Sequence, residues 1–271
     1  MAHDSSRPRR WPDWALIGGI AAGVAALAVV LILAVVRPGT SGSDSEPAEQ
    51  APPYAAPASL PPRSPTPGPG AAQGADAAWL AEAADATGIP ERALAAYAGA
   101  SLFKAVDRPE CGLGWNTLAA IGLVESDHGR HGGSRVTADG TVEPPIFGIA
   151  LDGTSSAHIP DSDDGEIDGD PDFDRAVGPM QLVPQTWAGW HVDGNGDAVE
   201  DPHHIDDAVL AASNYLCRAS PDMVDEEGWR TGILAYNNSL DYVRSVADAA
   251  NRYATIVDSV MAPKASPSAA P

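Results

Sequence analysis

The residue best placed to do chemistry is Glu125, in the stretch Leu118-Ala-Ala-Ile-Gly-Leu-Val-Glu-Ser-Asp-His-Gly129. Read at helical spacing, Leu118, Ile121 and Gly122 share a face, and Glu125 is the next position on it. An apolar stripe that ends in a carboxylate sets that carboxylate where a core meets a cleft. Desolvation there raises its pKa, as a general acid working near neutral pH requires. Gly129, Gly132 and Gly133 are expected to stop the helix and leave backbone free to approach a ligand. The bland alternative is a solvated glutamate at a helix end. Two later segments supply polar groups of the kind a ligand-binding cleft uses. In Ala176-Val-Gly-Pro-Met-Gln-Leu-Val-Pro-Gln-Thr-Trp187, Gly178 permits close backbone approach and Gln181 offers both a donor and an acceptor. In Ile233-Leu-Ala-Tyr-Asn-Asn238, Tyr236 can bond to the glutamate or stack on a sugar, and Asn237 can orient a substrate. Met180, Trp187 and Trp190 are readable as packing, and the tryptophans also as platforms for sugar faces.

Taken in this order, the three segments resemble the lytic transglycosylases of bacterial cell walls. The look is that of the membrane-bound lytic transglycosylase B type, within the lysozyme-like group, and it covers roughly residues 79–260. The resemblance implies a mainly α, lysozyme-like helical domain. It also implies cleavage of the MurNAc-β-1,4-GlcNAc bond of peptidoglycan, with 1,6-anhydro-muramoyl ends as product. Glycosidases ordinarily use two carboxylates, and the sequence offers one well-placed carboxylate and no convincing second. The resemblance accounts for this, since one glutamate then serves as acid and afterwards as base while the sugar's own acetamido group or C6 hydroxyl replaces a nucleophile. Such an enzyme is formally a lyase. On this reading Glu125 is catalytic, and Ser126, Gly178, Met180, Gln181, Tyr236 and Asn237 bind substrate.

A second chemistry is suggested by the segment from His191 to Asp207. Oxygen side chains at Asp193, Asn195 and Asp197 match positions one, three and five of an EF-hand loop, and Val199 would lend its carbonyl at seven. Ala198 stands where the loop's glycine belongs, and His204 where its bidentate glutamate belongs. The resembled family has a lengthened loop closed by a later aspartate, and Asp207 falls there. A structural calcium ion is the expectation and a metal-free acidic turn the alternative; the chemistry itself requires no cofactor. Asp161, Asp163, Asp164 and Asp168 form another acidic group, readable as a cation holder or as a solvated loop. His128 and His131 lack a third ligand nearby for zinc.

Composition narrows the partners. The formal net charge of −21 argues against nucleic-acid binding. Nine acidic residues from Asp152 to Asp174 meet no lysine or arginine, which reads as solubility rather than as a site for an acidic substrate. Residues 15–36 carry no charged or polar side chain, enough for a helix to cross a hydrocarbon core of about 30 Å. Arg7, Arg9 and Arg10 precede them, so residues 1–14 are expected in the cytoplasm, with the remainder outside as a single-pass membrane protein. A cleaved signal peptide is the alternative, with a poor cleavage site at 34–37. Cys111 and Cys217 are the only cysteines and are expected to form one disulfide in that oxidising compartment, against two buried thiols.

Residues 37–74, rich in Pro, Ala, Ser and Gly, read as a disordered tether spanning roughly 35 Å as a coil and up to ~120 Å extended. Residues 262–271 read the same way. Between them the domain at 75–261 is expected to be helical at 76–87, 90–106, 117–128, 184–190, 205–217, 223–235 and 239–260. A short hairpin has room within 136–151. In the last helix Tyr242, Val246, Ala249 and Tyr253 form a core-facing stripe. Residues 141–175 are too long for an ordinary connection and are expected to border the cleft. Two other functions compete with the lyase: a muramidase hydrolysing the same bond, which would need a second carboxylate such as Asp152 or Asp174, and a catalytically silent wall-binding protein.

Overall fold

The computed structural model describes residues 53–262. The apolar segment at 15–36 lies outside them, and among the described residues no helix is long and apolar enough to cross a membrane. The fold is mainly α. Its helices are α1 (Ala77–Thr87), α2 (Glu91–Asp107), α3 (Trp115–Ser126), α4 (Pro184–Trp190), α5 (Ile205–Ala219), α6 (Glu226–Tyr236) and α7 (Leu240–Met261). Each matches its expected position to within a few residues. A hairpin of β1 (Arg135–Val136) and β2 (Val142–Glu143) pairs antiparallel, Val136 opposite Val142.

The helix ends have local causes. Asp76, Asp225 and Ser239 each accept a hydrogen bond from a backbone amide in the first turn of α1, α6 and α7. Proline opens α4. Three helices build the centre. The residues of α3 from Trp115 to Gly122 are buried on every side, so this helix is a core rod rather than the one-sided stripe read from sequence. Helix α7 runs along it, turning in Tyr242, Val243, Val246, Ala250, Tyr253 and Val257. Helix α2 covers another side with Leu94, Tyr97 and Leu102. Around this centre, Cys111 and Cys217 are joined, tying the approach to α3 to the end of α5.

One expectation fails. Residues 53–74, read as part of a disordered tether, lie as a strap against the helices. Ala55 is fully buried. Asn116, at the start of α3, reads the strap's backbone from both sides: its Nδ2 donates to Ala56 O at 3.0 Å and its Oδ1 accepts from Ala58 N at 2.9 Å. Trp115 Nε1 donates to Ser59 O, Arg63 to Leu102 O, and Ala71 N to Gly194 O. Low hydrophobicity argued for disorder, but small residues and prolines lose little side-chain entropy and fit a groove whose donors and acceptors already match an extended backbone.

Candidate functional site

A cleft opens where the end of α3, the turn at 176–183, α4, α5 and α6 meet. Glu125, Gln181, Thr186, Tyr215, Tyr236 and Asn237 line it, with Ala176, Leu182, Val183 and Ala235 between them. Three of the sequence-predicted site residues besides Glu125 therefore converge on it: Gln181, Tyr236 and Asn237. Glu125 is the one carboxylate among the lining residues.

Glu125 comes at the last turn of α3, and the helix stops sooner than its glycines suggested. Asp127 already adopts a left-handed conformation, φ 51°, followed by His128 at 58° and Gly129 at 79°. This abrupt end leaves the carboxyl at the edge of the core. Its hydrogen-bond partner among the described side chains is Tyr242, whose hydroxyl donates to Oε1 at 2.5 Å. Burial raises the Glu125 pKa to about 7, even though the Tyr242 bond pulls it back down. The proton is thus held through the range in which ordinary carboxylates have lost theirs.

Aromatic side chains wall the cleft beside it. Tyr236 stacks on Tyr242, centroids 6.5 Å apart and planes 7° from parallel. Tyr215 meets Tyr236 edge-on at 5.9 Å, and Trp190 meets Tyr215 at 6.3 Å. Burial, then the nearby Glu125, pushes the Tyr236 and Tyr242 hydroxyls well above their usual range, so both stay protonated donors. The Tyr236 hydroxyl donates to Met180 O at 2.7 Å, so the expected bond from Tyr236 to the glutamate is made instead by Tyr242. Comparison of the chain with protein-family models, curated proteins and solved structures returned no match.

Two side-chain amides belong to the cleft lining, and they differ in what they offer. Gln181 has φ 48° and donates its Nε2 to Gly178 O at 2.9 Å, which leaves Oε1 free to receive a hydrogen bond. A non-glycine residue held in the left-handed region at a cleft is a conformation the surrounding turn must stabilise, and Val177 does so by pairing with Leu182 across it. Asn237, 4 % exposed, has a buried Oδ1 with no donor among the described residues. Such an enclosed acceptor is costly unless something donates to it.

The remaining predicted binders support the cleft instead of lining it. Ser126 is buried; its hydroxyl donates to Pro179 O at 2.6 Å and accepts from Gly129 N at 2.8 Å. It ties the end of α3 to the 178–181 turn. Gly178, φ 71°, is required by packing: a Cβ there would meet Pro202 O at 1.9 Å. Met180 is fully buried, as are Trp187 and Trp115 to within a few per cent, so Met180 contributes its carbonyl to Tyr236 and its side chain to the core. Tyr242 is the residue that sequence reasoning missed. Its helical spacing marked it as core, correctly, and nothing in the spacing distinguishes the one stripe residue that ends at a buried carboxyl.

Neither candidate second carboxylate reaches the cleft. Asp174 is fully buried in the 152–174 segment, where Ser162 N and Oγ donate to it. Asp152 caps the turn at Thr154. In the same segment Asp161 accepts from the amides of Asp164 and Gly165, and Asp163 from Ile167. Among the described residues, Asp161, Asp163 and Asp174 are the acidic group whose oxygens gather within 4.8 Å. The EF-hand-like residues do not gather this way. Asp193 accepts from the amides of Gly196, Asp197 and Ala198, Asn195 from Asp197, and Asp197 from Val199. Asp207 clasps the loop's two ends, accepting from Gly194 N at 2.7 Å and Asp201 N at 2.9 Å. The oxygen-bearing residues are of the right type for calcium, and here they face backbone amides. His128 is enclosed by tyrosines and His131 is exposed, so these two do not share a site.

Proposed function

We propose that this chain is a peptidoglycan lytic transglycosylase of lysozyme-like fold, with Glu125 as its single acid and base. The observation that carries this reading is a cleft with one carboxylate, its pKa raised by burial to about 7 and its oxygen held by one tyrosine, between the Gln181 amide and an aromatic wall. Protonated Glu125 donates to the O4 leaving oxygen of GlcNAc as the bond to MurNAc C1 breaks. The acetamido group of MurNAc steadies the electron-poor C1, its N–H turned toward Gln181 Oε1. Glu125, now a carboxylate, takes the proton of the MurNAc C6 hydroxyl as that oxygen closes on C1. Atoms balance without water: the glycosidic bond is exchanged for an internal C1–O6 acetal bond, the proton given by Glu125 stays on GlcNAc O4, and the C6 hydroxyl proton restores the acid.

A muramidase would require a group to direct water at C1, and the cleft lining holds no second carboxylate. The ordered motifs and the buried acid weigh against a silent binding protein. The reading includes a membrane anchor at residues 15–36, with sixteen residues between it and the strap at Pro53. It also includes a calcium ion held at Asp193, Asn195, Asp197, Val199 and Asp207 for stability, which would displace the amide contacts those side chains now make. The function is tested by mass spectrometry of purified peptidoglycan after digestion. Anhydro-muramoyl ends are expected, and reducing ends or intact strands reject the lyase.

A further inference from the structure

Gly122 lies inside α3, one turn before Glu125, where glycine is a poorer helix former than alanine. The reason for it is a hydroxyl: a Cβ at 122 would stand 2.0 Å from Tyr97 Oη. That hydroxyl crosses the helix to lie 3.2 Å from His128 Nδ1, and His128 Nε2 lies 2.9 Å from Tyr253 Oη. All three side chains are buried. One imidazole thereby bridges α2 to α7 at the point where α3 ends. The backbone there is strained, with Asp127 and His128 both left-handed, a conformation unfavourable for residues other than glycine. The His128 amide bond to Gly122 O, at 2.8 Å, and the Ser126 contacts hold the turn from the α3 side, and the hydrogen bonds of the imidazole hold it to α2 and α7.

Helix α7 touches the end of α3 at two tyrosines, three turns apart. Tyr242 holds the Glu125 carboxyl and Tyr253 holds His128. We propose that His128 is a positioning residue for Glu125: by pinning the end of α3 to Tyr97 and Tyr253, it fixes the register in which Tyr242 reaches the carboxyl. It does not line the cleft. The groups facing or flanking its ring are Tyr97 from α2, Tyr253 and Arg252 from α7, and Asp127 and Arg130 beside it in the chain. Burial first, then Arg130 and Arg252, lower its pKa to about 4, against a smaller opposing effect of Asp127. The ring is therefore neutral while Glu125 titrates, one nitrogen donating and the other accepting. The Tyr242 bond favours ionised Glu125, so a loosened register weakens that bond and raises the Glu125 pKa.

The role of Glu125 as acid rests on the function proposed above, but its positioning is measurable without substrate. The full chain in detergent, labelled with 13C at glutamate side-chain carboxyls and assigned with Glu125→Gln, is titrated by NMR alongside Tyr253→Phe and His128→Asn. Tyr253→Phe removes one hydroxyl and keeps the shape; asparagine tolerates the left-handed backbone. Both variants are expected to move the Glu125 midpoint up by about half a pH unit, roughly a threefold change in its ionisation constant. Tyr242→Phe sets the ceiling. If the midpoint in Tyr253→Phe stays where it is in the unaltered chain, His128 is only a structural tie and the proposal is overturned, whether or not His128→Asn folds. Peptidoglycan cleavage is read on the same samples. A shift without any cleavage by the unaltered chain upholds the positioning and rejects the enzyme; cleavage without a shift does the reverse.

Discussion

The cleft at the end of α3 and the loop at 193–207 use carboxylates in opposite ways. In the loop, Asp193 alone accepts three backbone amides, and Asp197 accepts from the Asn195 side chain and from Val199 N, which hold its carboxyl below the usual range. In the cleft, Glu125 has one side-chain hydrogen-bond partner, Tyr242, and the other polar side chains of the lining, Gln181, Thr186 and Asn237, make no hydrogen bond to it. Amides that donate to a carboxylate stabilise its ion, whereas burial without them stabilises the acid. The difference teaches that acidic residues acquire chemistry through a shortage of donors rather than through number. The segment from Asp152 to Asp174 is the most acidic in the chain, yet it spends its carboxylates capping its own turns.

The contrast breaks first at Glu125. Glu125→Gln should keep the fold and lower glycan cleavage by at least ~10²–10⁴-fold, the loss expected for a general acid that also serves as base; turnover assays with circular dichroism check both halves. On the supporting side, Asp206 is buried and held bidentately by Arg92, both bonds at 2.7 Å. Arg92→Ala leaves that carboxylate unpaired and should cost about 3 kcal/mol in urea unfolding at pH 7. The sign reverses at the cleft. A pKa raised from 4.5 to about 7 means the folded state favours the protonated acid. Its contribution to stability is present in full below pH 4.5 and is lost as pH rises through 7. Glu125→Gln, which cannot ionise, should therefore be more stable than the unaltered chain above pH 7, by up to roughly 3 kcal/mol, with the gain gone at pH 4. Unfolding at three pH values decides it, and a gain independent of pH counts against a desolvated acid. The smallest effect belongs to the loop. Calcium should raise the melting temperature by mass action, and Asp197→Ala should abolish that rise with cleavage intact in the cold. A melting temperature indifferent to calcium and chelator makes the loop an ordinary acidic turn.

Local rules made the helices legible. Caps at Asp76 and Ser239, prolines at 90 and 184, and the α7 stripe act over a few residues, so the sequence displays them. Glu125, Gln181, Tyr236 and Asn237 were legible through motif order. What escaped was long-range. Tyr242 finds Glu125 from 117 residues away. Ala55 and Ala56 find a groove prepared by Asn116, and the tether reading missed it because composition reports what a segment can bury unaided. Ser126 was placed against substrate by resemblance and Gly178 because a glycine lets backbone approach a ligand; both equally suit a tight junction between helix end and turn, and Pro179 O and Pro202 O occupy the space.

The central claim is that one buried, protonated glutamate cleaves the glycan without water. Digestion of purified peptidoglycan in H2(18)O, followed by mass spectrometry of the released muropeptides, tests it most directly. The account predicts 1,6-anhydro-muramoyl ends that carry no 18O and vanish with Glu125→Gln. Reducing ends bearing one 18O would show that water attacks C1, and would contradict it.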